Sequence, residues 1–150
     1  MKNYLAIALI WLLLSGFSHQ RSIDRIIIHH SGVNVDQTVE QIRDYHVNHN
    51  GWDDIGYHYI IYRDGSIHKG REDSVVGAHA KGRNHNSLGI CLIGDDEIST
   101  EQIGTLIVAI RELRMIYGKN LKLETHHNKC PGVFIIDALH LMEFEIKEIK

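Results

Sequence analysis

The sequence lacks several features that would place it in familiar classes of protein. It has no basic stripe, and its formal net charge is −3, so we expect no nucleic-acid partner. Beyond residue 18 no apolar run is long enough to cross a membrane. There is also no internal repeat and no low-complexity tract. What is left has the length of a single domain with a real core.

Cysteine is scarce, with only Cys91 and Cys130 in the chain. An even count in an exported protein can indicate a disulfide. Cys91, however, falls within the apolar run 88–93, which is typical of a buried strand in which cysteine is an ordinary small core residue. Cys130 lies among histidines. We therefore expect both thiols to be free.

Residues 1–18 are typical of a signal peptide. Lys2 supplies a positive charge, residues 4–14 are almost wholly apolar, and Gly16 and Ser18 are the small residues expected before a cleavage site. An uncleaved membrane anchor is the alternative interpretation. In either case we expect the protein to leave the cytoplasm, as a secreted or periplasmic monomer whose single domain spans residues 24–150.

The hydrophobic pattern predicts an α/β domain, with a mixed central β-sheet flanked by helices. Three consecutive isoleucines predict a central strand at Arg25–His30, and apolar residues at helical spacing predict a long helix at Thr100–Tyr117. Further helices are predicted at 39–49 and 134–147, and further strands at 57–63, 66–70, 87–93 and 121–125.

Metal-ligating side chains are concentrated near the end of the chain. Residues 125–132 hold two histidines, a lysine and a cysteine, closed by Pro131, the only proline of the sequence. Imidazole and thiolate are the ligands that suit zinc best. A third ligand would come from the pair His29 and His30, which point to opposite faces of their predicted strand. Three protein ligands leave one position for water, as in catalytic zinc sites.

Six motifs that are weak individually occur in a specific order. The motifs are IIIHHS (26–31), WDDIGYHY (52–59), YRDG (62–65), GAHA (77–80), NHNSLGI (84–90) and CPG (130–132). Together they resemble the zinc-dependent N-acetylmuramoyl-L-alanine amidases of the type 2 family, which include phage lysozyme-type amidases and peptidoglycan recognition proteins. The resemblance covers nearly all of the predicted domain and implies the α/β fold of that family.

The resemblance implies zinc-dependent hydrolysis of the amide that joins N-acetylmuramic acid to L-alanine in peptidoglycan. It implies that a Zn²⁺ cofactor is held by His29, His126 and Cys130. It also implies that Tyr57 is catalytic, since a phenol can donate a hydrogen bond to the oxyanion that forms during attack on an amide. Lys129 is the nearest match to a second catalytic residue of the family.

The connection between His126 and Cys130 is shorter than in related enzymes, with only three intervening residues. We expect the two side chains to share a metal across a single helical turn. The shortening leaves His127 as an alternative ligand to His126. It also removes the loop that positions the lysine in relatives, so the Lys129 side chain could instead point to solvent.

The least regular part of the sequence is the polar loop 72–86, and loops of this kind often carry function. Four of its residues are candidates for substrate binding in a groove. The alternative is that they satisfy the backbone of the loop. They are His79, Asn84, His85 and Asn86.

Two other classes of function compete with the amidase. A peptidoglycan recognition module would bind the polymer without cutting it, but non-cutting members commonly lack the cysteine ligand that is present here as Cys130. A cysteine peptidase would pair Cys130 with His126 or His29 as thiolate and imidazole. A chelator would not inhibit such a peptidase.

Overall fold

A five-stranded mixed sheet forms the centre of this computed structural model, which describes residues 21–95, 97–127, 130–132, 135, 137 and 138. Its strands have the order β3-β2-β4-β1-β5. β1 is parallel to both neighbours, β4 and β5, and β2 is parallel to β4 and antiparallel to β3. The predicted mixed sheet is therefore confirmed. The strands are β1 (Arg25–His30), β2 (Tyr59–Ile61), β3 (Ile67–Lys69), β4 (Ser87–Leu92) and β5 (Lys122–Thr125).

Two continuous α-helices accompany the sheet within the described residues, α1 (Val39–Asp44) and α2 (Thr100–Tyr117). Each begins with a capping box, in which the side chain of Thr38 or Ser99 accepts a hydrogen bond from the backbone three residues later. The predicted bounds of α2 are confirmed. The helix predicted at 39–49 has the correct extent, but it changes to a π-helix over Tyr45–His49.

The predicted strands at 57–63 and 66–70 are longer than the observed β2 and β3. The hydrogen bond from Gly65 N to Tyr62 O, 2.9 Å, forms the tight turn of the hairpin and ends the regular pairing. At the other end of β2, His58 N still donates to Gly89 O across 2.9 Å. Tyr57 therefore lies in the irregular segment just before β2 rather than within the strand.

The core fixes which residues of β1 face which side of the sheet. Ile26 and Ile28 are fully buried in the apolar cluster that packs against α2. Because side chains alternate along a strand, Ile27 and His29 point to the opposite side. A register slip of one residue would drive His29 into the isoleucine and leucine cluster, so burial of these isoleucines determines where His29 lies.

Two predicted elements lie wholly or largely outside the residues that the structure describes. The signal peptide at 1–18 is one of them. Of the predicted last helix at 134–147, Ile135, Asp137 and Ala138 are described, and they are helical. In the described ranges, no helix is both long and apolar enough to pass through a bilayer.

Candidate metal centre

Three side chains converge at the end of the sheet where β1 and β5 finish. The potential ligand atoms of His29, His126 and Cys130 all lie within 4.8 Å of one another. His29 is the penultimate residue of β1, and His126 directly follows β5, its parallel neighbour. Tetrahedral zinc with bonds of about 2.0–2.3 Å places its ligands roughly 3.3–3.8 Å apart. Two imidazoles and a thiol at this spacing fit zinc after a modest contraction.

A tight antiparallel bridge returns the chain to this cluster. Cys130 N donates to His127 O across 3.0 Å, and His127 N donates to Cys130 O across 3.3 Å. The prediction of a helical turn between His126 and Cys130 is therefore wrong, because reciprocal pairing of the backbone closes this short connection instead. Lys129 lies outside the described residues.

The backbone of His126 continues the pairing of the sheet, since its N–H donates to Ile28 O across 3.2 Å. This hydrogen bond holds His126 beside β1 and next to His29, and the two ring centroids are 4.7 Å apart. Among the described residues, the cluster with metal-ligand spacing contains His126 and does not contain His127.

Burial makes this cluster electrically neutral in the absence of a metal. His29 is only 1% exposed, and burial, together with the nearby imidazoles of His79 and His126, lowers its pKa to about 2. Burial also lowers the pKa of His126 and raises the pKa of the Cys130 thiol. A dication that binds here therefore meets two neutral imidazoles and displaces one proton from the thiol.

Tyr57 places a phenol beside this cluster. Its ring centroid lies 5.2 Å from that of His29. Burial raises the pKa of Tyr57 well above its ordinary value. The negative charge that Cys91 and Cys130 would carry as thiolates is a smaller contribution in the same direction. The phenol therefore stays protonated and can serve as a hydrogen-bond donor.

The four residues predicted to bind substrate are placed very differently by the fold. His79 is only 7% exposed, and its Nδ1 lies 3.0 Å from His29 Nε2. Asn84 Oδ1 accepts hydrogen bonds from the backbone N–H groups of His79 and Ala80, at 3.0 and 2.8 Å. Its side chain thus satisfies the backbone of the loop, which was the alternative interpretation.

The other two predicted groove residues lie further along the same loop. Asn86 Nδ2 donates to Asp24 Oδ2 across 3.0 Å, at the opposite end of β1 from His29. His85 is exposed, and its backbone carbonyl accepts from the guanidinium of Arg21. Of the four candidates, the structure brings His79 into contact with the metal-ligand cluster.

Arg83 is a contributor to the site that the sequence analysis missed. Its guanidinium donates to Glu124 Oε2 at 2.9 Å, to Thr125 O at 3.2 Å and to the backbone carbonyl of His126. These contacts tie the loop to the end of β5. In the sequence, Arg83 is a single arginine in a loop rich in histidine and asparagine. That pattern does not indicate which backbone carbonyl groups its guanidinium contacts.

Comparison with known proteins connects this geometry to one family. A family model described as N-acetylmuramoyl-L-alanine amidase matches residues 19–133. The endolysin of Escherichia phage T7 is 38% identical over 125 residues, which are 77% of this chain and 82% of that endolysin.

Solved structures give the same result. The N-acetylmuramoyl-L-alanine amidase LysC from Clostridium intestinale superposes with a TM-score of 0.71 at 31% identity, covering 82% of this chain and 87% of that one. A point mutant of Drosophila PGRP-LB, in complex with tracheal cytotoxin, superposes with a TM-score of 0.68 at 31% identity. That match covers 76% of this chain and 78% of the Drosophila protein.

Proposed function

The chain belongs to the N-acetylmuramoyl-L-alanine amidase type 2 family, and we propose that its reaction uses one zinc ion held by His29, His126 and Cys130. The reaction is hydrolysis of the amide between N-acetylmuramic acid and L-alanine in peptidoglycan. The observation that carries the proposal is the convergence of their ligand atoms within 4.8 Å. When bound there, zinc supplies a Lewis acid for the amide carbonyl and an activated water.

Tyr57 is the proposed donor to the oxyanion of the reaction. An oxyanion is stabilised most by donors that are fixed in position before the charge develops. The proximity of Tyr57 to His29, its half-buried position and its raised pKa support this role, because they hold a protonated phenol beside the cluster. Lys129 is the proposed second catalytic residue, on the basis of the family resemblance alone.

Peptidoglycan and its fragments are the binding partners of this protein, in keeping with its amidase and peptidoglycan-recognition relatives. The complex of the Drosophila relative with tracheal cytotoxin supports the binding of peptidoglycan fragments by this chain as well. His85 is the one predicted groove residue that remains exposed. Asn84 and Asn86 already bind protein groups, so we propose no contact between their side chains and the substrate.

The two competing functions have less support. A cysteine peptidase needs a thiolate, and thiolates form at neutral pH where the environment lowers the pKa of the thiol. Burial raises the pKa of Cys130, which is the opposite direction. A recognition module that does not cut has no need of a cysteine ligand, yet Cys130 lies in the cluster together with both histidines.

Chelation should separate these three functions. We expect a zinc chelator to abolish release of L-alanine peptides from a muramyl-peptide, and one equivalent of zinc to restore it. Activity that survives complete removal of the metal would indicate a cysteine peptidase. A protein that binds peptidoglycan but releases no peptide, with or without zinc, would be a recognition module.

We also propose that the protein is exported, with removal of about the first 18 residues. The apolar segment behind Lys2 and the extracytoplasmic location of peptidoglycan support this. Mass spectrometry of the exported protein should find a chain that begins near residue 19. An exported chain that still carries Met1 would contradict a cleaved signal peptide.

A further inference from the structure

A row of hydrogen bonds leads away from the metal-ligand cluster into the protein. His29 Nε2 lies 3.0 Å from His79 Nδ1, and His79 Nε2 lies 3.3 Å from Ser87 Oγ. The row ends where Ser87 Oγ donates to the backbone carbonyl of Arg83 across 2.7 Å. His29, His79 and Ser87 are all buried, so water does not compete for these contacts.

The chemistry of the last group fixes the direction of every bond in the row. A carbonyl oxygen can only accept, so the single hydroxyl proton of Ser87 points to Arg83 O. Ser87 Oγ must then accept from His79 Nε2–H. A neutral imidazole carries one proton, which leaves His79 Nδ1 as an acceptor for His29 Nε2–H. His29 Nδ1 consequently keeps its lone pair.

From this row we propose that His79 is a positioning residue, which holds His29 in the Nε2–H tautomer so that Nδ1 is the atom offered to zinc. The inference rests on the proposed zinc site. Histidine ligands of metals usually donate their second ring N–H to a carboxylate or a carbonyl, and that contact fixes both the tautomer and the ring orientation. Here a second imidazole, itself anchored by Ser87, fulfils this task.

The backbone leaves a narrow space, or slot, for the His79 ring. This space is independent evidence that the fold fixes the position of the ring. A Cβ atom at Gly89 of β4 would lie 2.6 Å from His79 Cγ, and one at Gly77 would lie 2.5 Å from His79 Cδ2. Neither distance is possible for real atoms, so glycine at both positions makes room for the ring. The backbone N–H of His79 is held by Asn84 as well.

The same contacts argue against the other roles that a histidine could take here. Both nitrogens of His79 are engaged within the protein, one by His29 and one by Ser87. Its ring therefore offers no free nitrogen to a metal. With only 7% of the residue exposed, it also has little surface for a substrate.

The tautomer of His29 can be measured directly in the wild-type protein. Nitrogen-15 NMR of the metal-free protein distinguishes a protonated ring nitrogen from an unprotonated one. We expect His29 to carry its proton on Nε2 and to have an unprotonated Nδ1. A His29 ring with its proton on Nδ1 would overturn the inference, and this measurement needs no variant.

Two substitutions at His79 then test whether the contact matters for zinc. His79→Phe keeps a ring in the slot but removes the acceptor, and we expect it to weaken zinc binding by about 10- to 100-fold. His79→Asn places an amide oxygen near the position of Nδ1, and we expect it to recover most of the lost affinity. His49→Phe, at an exposed histidine, is the matched control and should bind zinc like the wild type.

The outcomes separate this inference from the proposed function. A wild-type protein that fails to bind zinc would contradict the zinc site itself. A wild-type protein that binds zinc, together with a His79→Phe variant of equal affinity, would contradict only the role of His79. Equal losses in the Phe and Asn variants would assign His79 to packing rather than to positioning.

Discussion

Replacing Cys130 by alanine is expected to abolish zinc binding and to lower amide hydrolysis by at least about a thousandfold. Metal ions contribute several kcal/mol of transition-state stabilisation in hydrolases, and about 4 kcal/mol corresponds to a thousandfold in rate. Cys130 supplies the only sulfur of the three-residue cluster, and two histidines alone form a weak site. Zinc per chain by metal analysis and peptide release should be measured on the same sample.

The second cysteine of the chain provides the control for this experiment. Cys91 is fully buried in β4, outside the cluster with metal-ligand spacing. Cys91→Ala should therefore retain about one zinc per chain. Loss of zinc in Cys91→Ala with full retention in Cys130→Ala would contradict the assignment of the sulfur ligand.

The adjacent histidines form a second matched pair. His126→Ala should lose zinc, since His126 belongs to the cluster, whereas His127→Ala should retain it. The reverse result would show that the short connection presents His127 to the metal. This pair resolves the alternative that the sequence left open.

Tyr57→Phe is expected to lower kcat by about a hundredfold to a thousandfold, which corresponds to about 3–4 kcal/mol, while zinc content stays unchanged. The substitution keeps the ring that packs 5.2 Å from His29 and removes only the hydroxyl. An oxyanion donor acts mainly in the transition state, so kcat and kcat/KM should fall alike. Steady-state kinetics on a muramyl-peptide would measure both constants.

Tyr45→Phe is the control for the missing hydroxyl, because Tyr45 is 52% exposed and outside the metal-ligand cluster. It should hydrolyse the substrate at the wild-type rate. If Tyr57→Phe also turned over at the wild-type rate with intact zinc, Tyr57 would be an ordinary packing aromatic.

The central part of the fold could be predicted because the hydrophobic pattern and the helix-end residues of the sequence indicate the same elements that packing stabilises. Three isoleucines at Ile26–Ile28 require burial on both faces of a strand, and β1 lies between β4 and β5 with all three side chains fully buried. The capping box at Ser99 and a glycine at position 118 mark both ends of α2. Ordered motifs around His29, His126 and Cys130 indicated which histidines would be neighbours, although they are far apart in sequence.

Contacts that depend on tertiary structure could not be predicted in the same way. Gln102 belongs to the capping box of α2, but it is also fully buried, and its Nε2 donates to Ile61 O at 3.1 Å and to Ile93 O at 2.9 Å. No local pattern reveals those two acceptors, because they belong to β2 and to the end of β4.

The loop 72–86 shows the same limit at the site itself. Its composition indicated function, and His79 was interpreted as a substrate contact. Its place behind His29 depends on space left by Gly77 and Gly89, and on the acceptor at Ser87. Only a folded structure brings these groups together, so composition could single out the histidine but not its target.

Zinc K-edge X-ray absorption of the wild-type protein should show directly whether two imidazoles and one thiolate hold one zinc ion. We expect one sulfur at about 2.3 Å and three nitrogen or oxygen atoms at about 2.0–2.1 Å. The sulfur signal should be absent from any zinc that remains on Cys130→Ala and present in Cys91→Ala. Zinc in the wild-type protein without a sulfur neighbour would show that Cys130 is not a ligand.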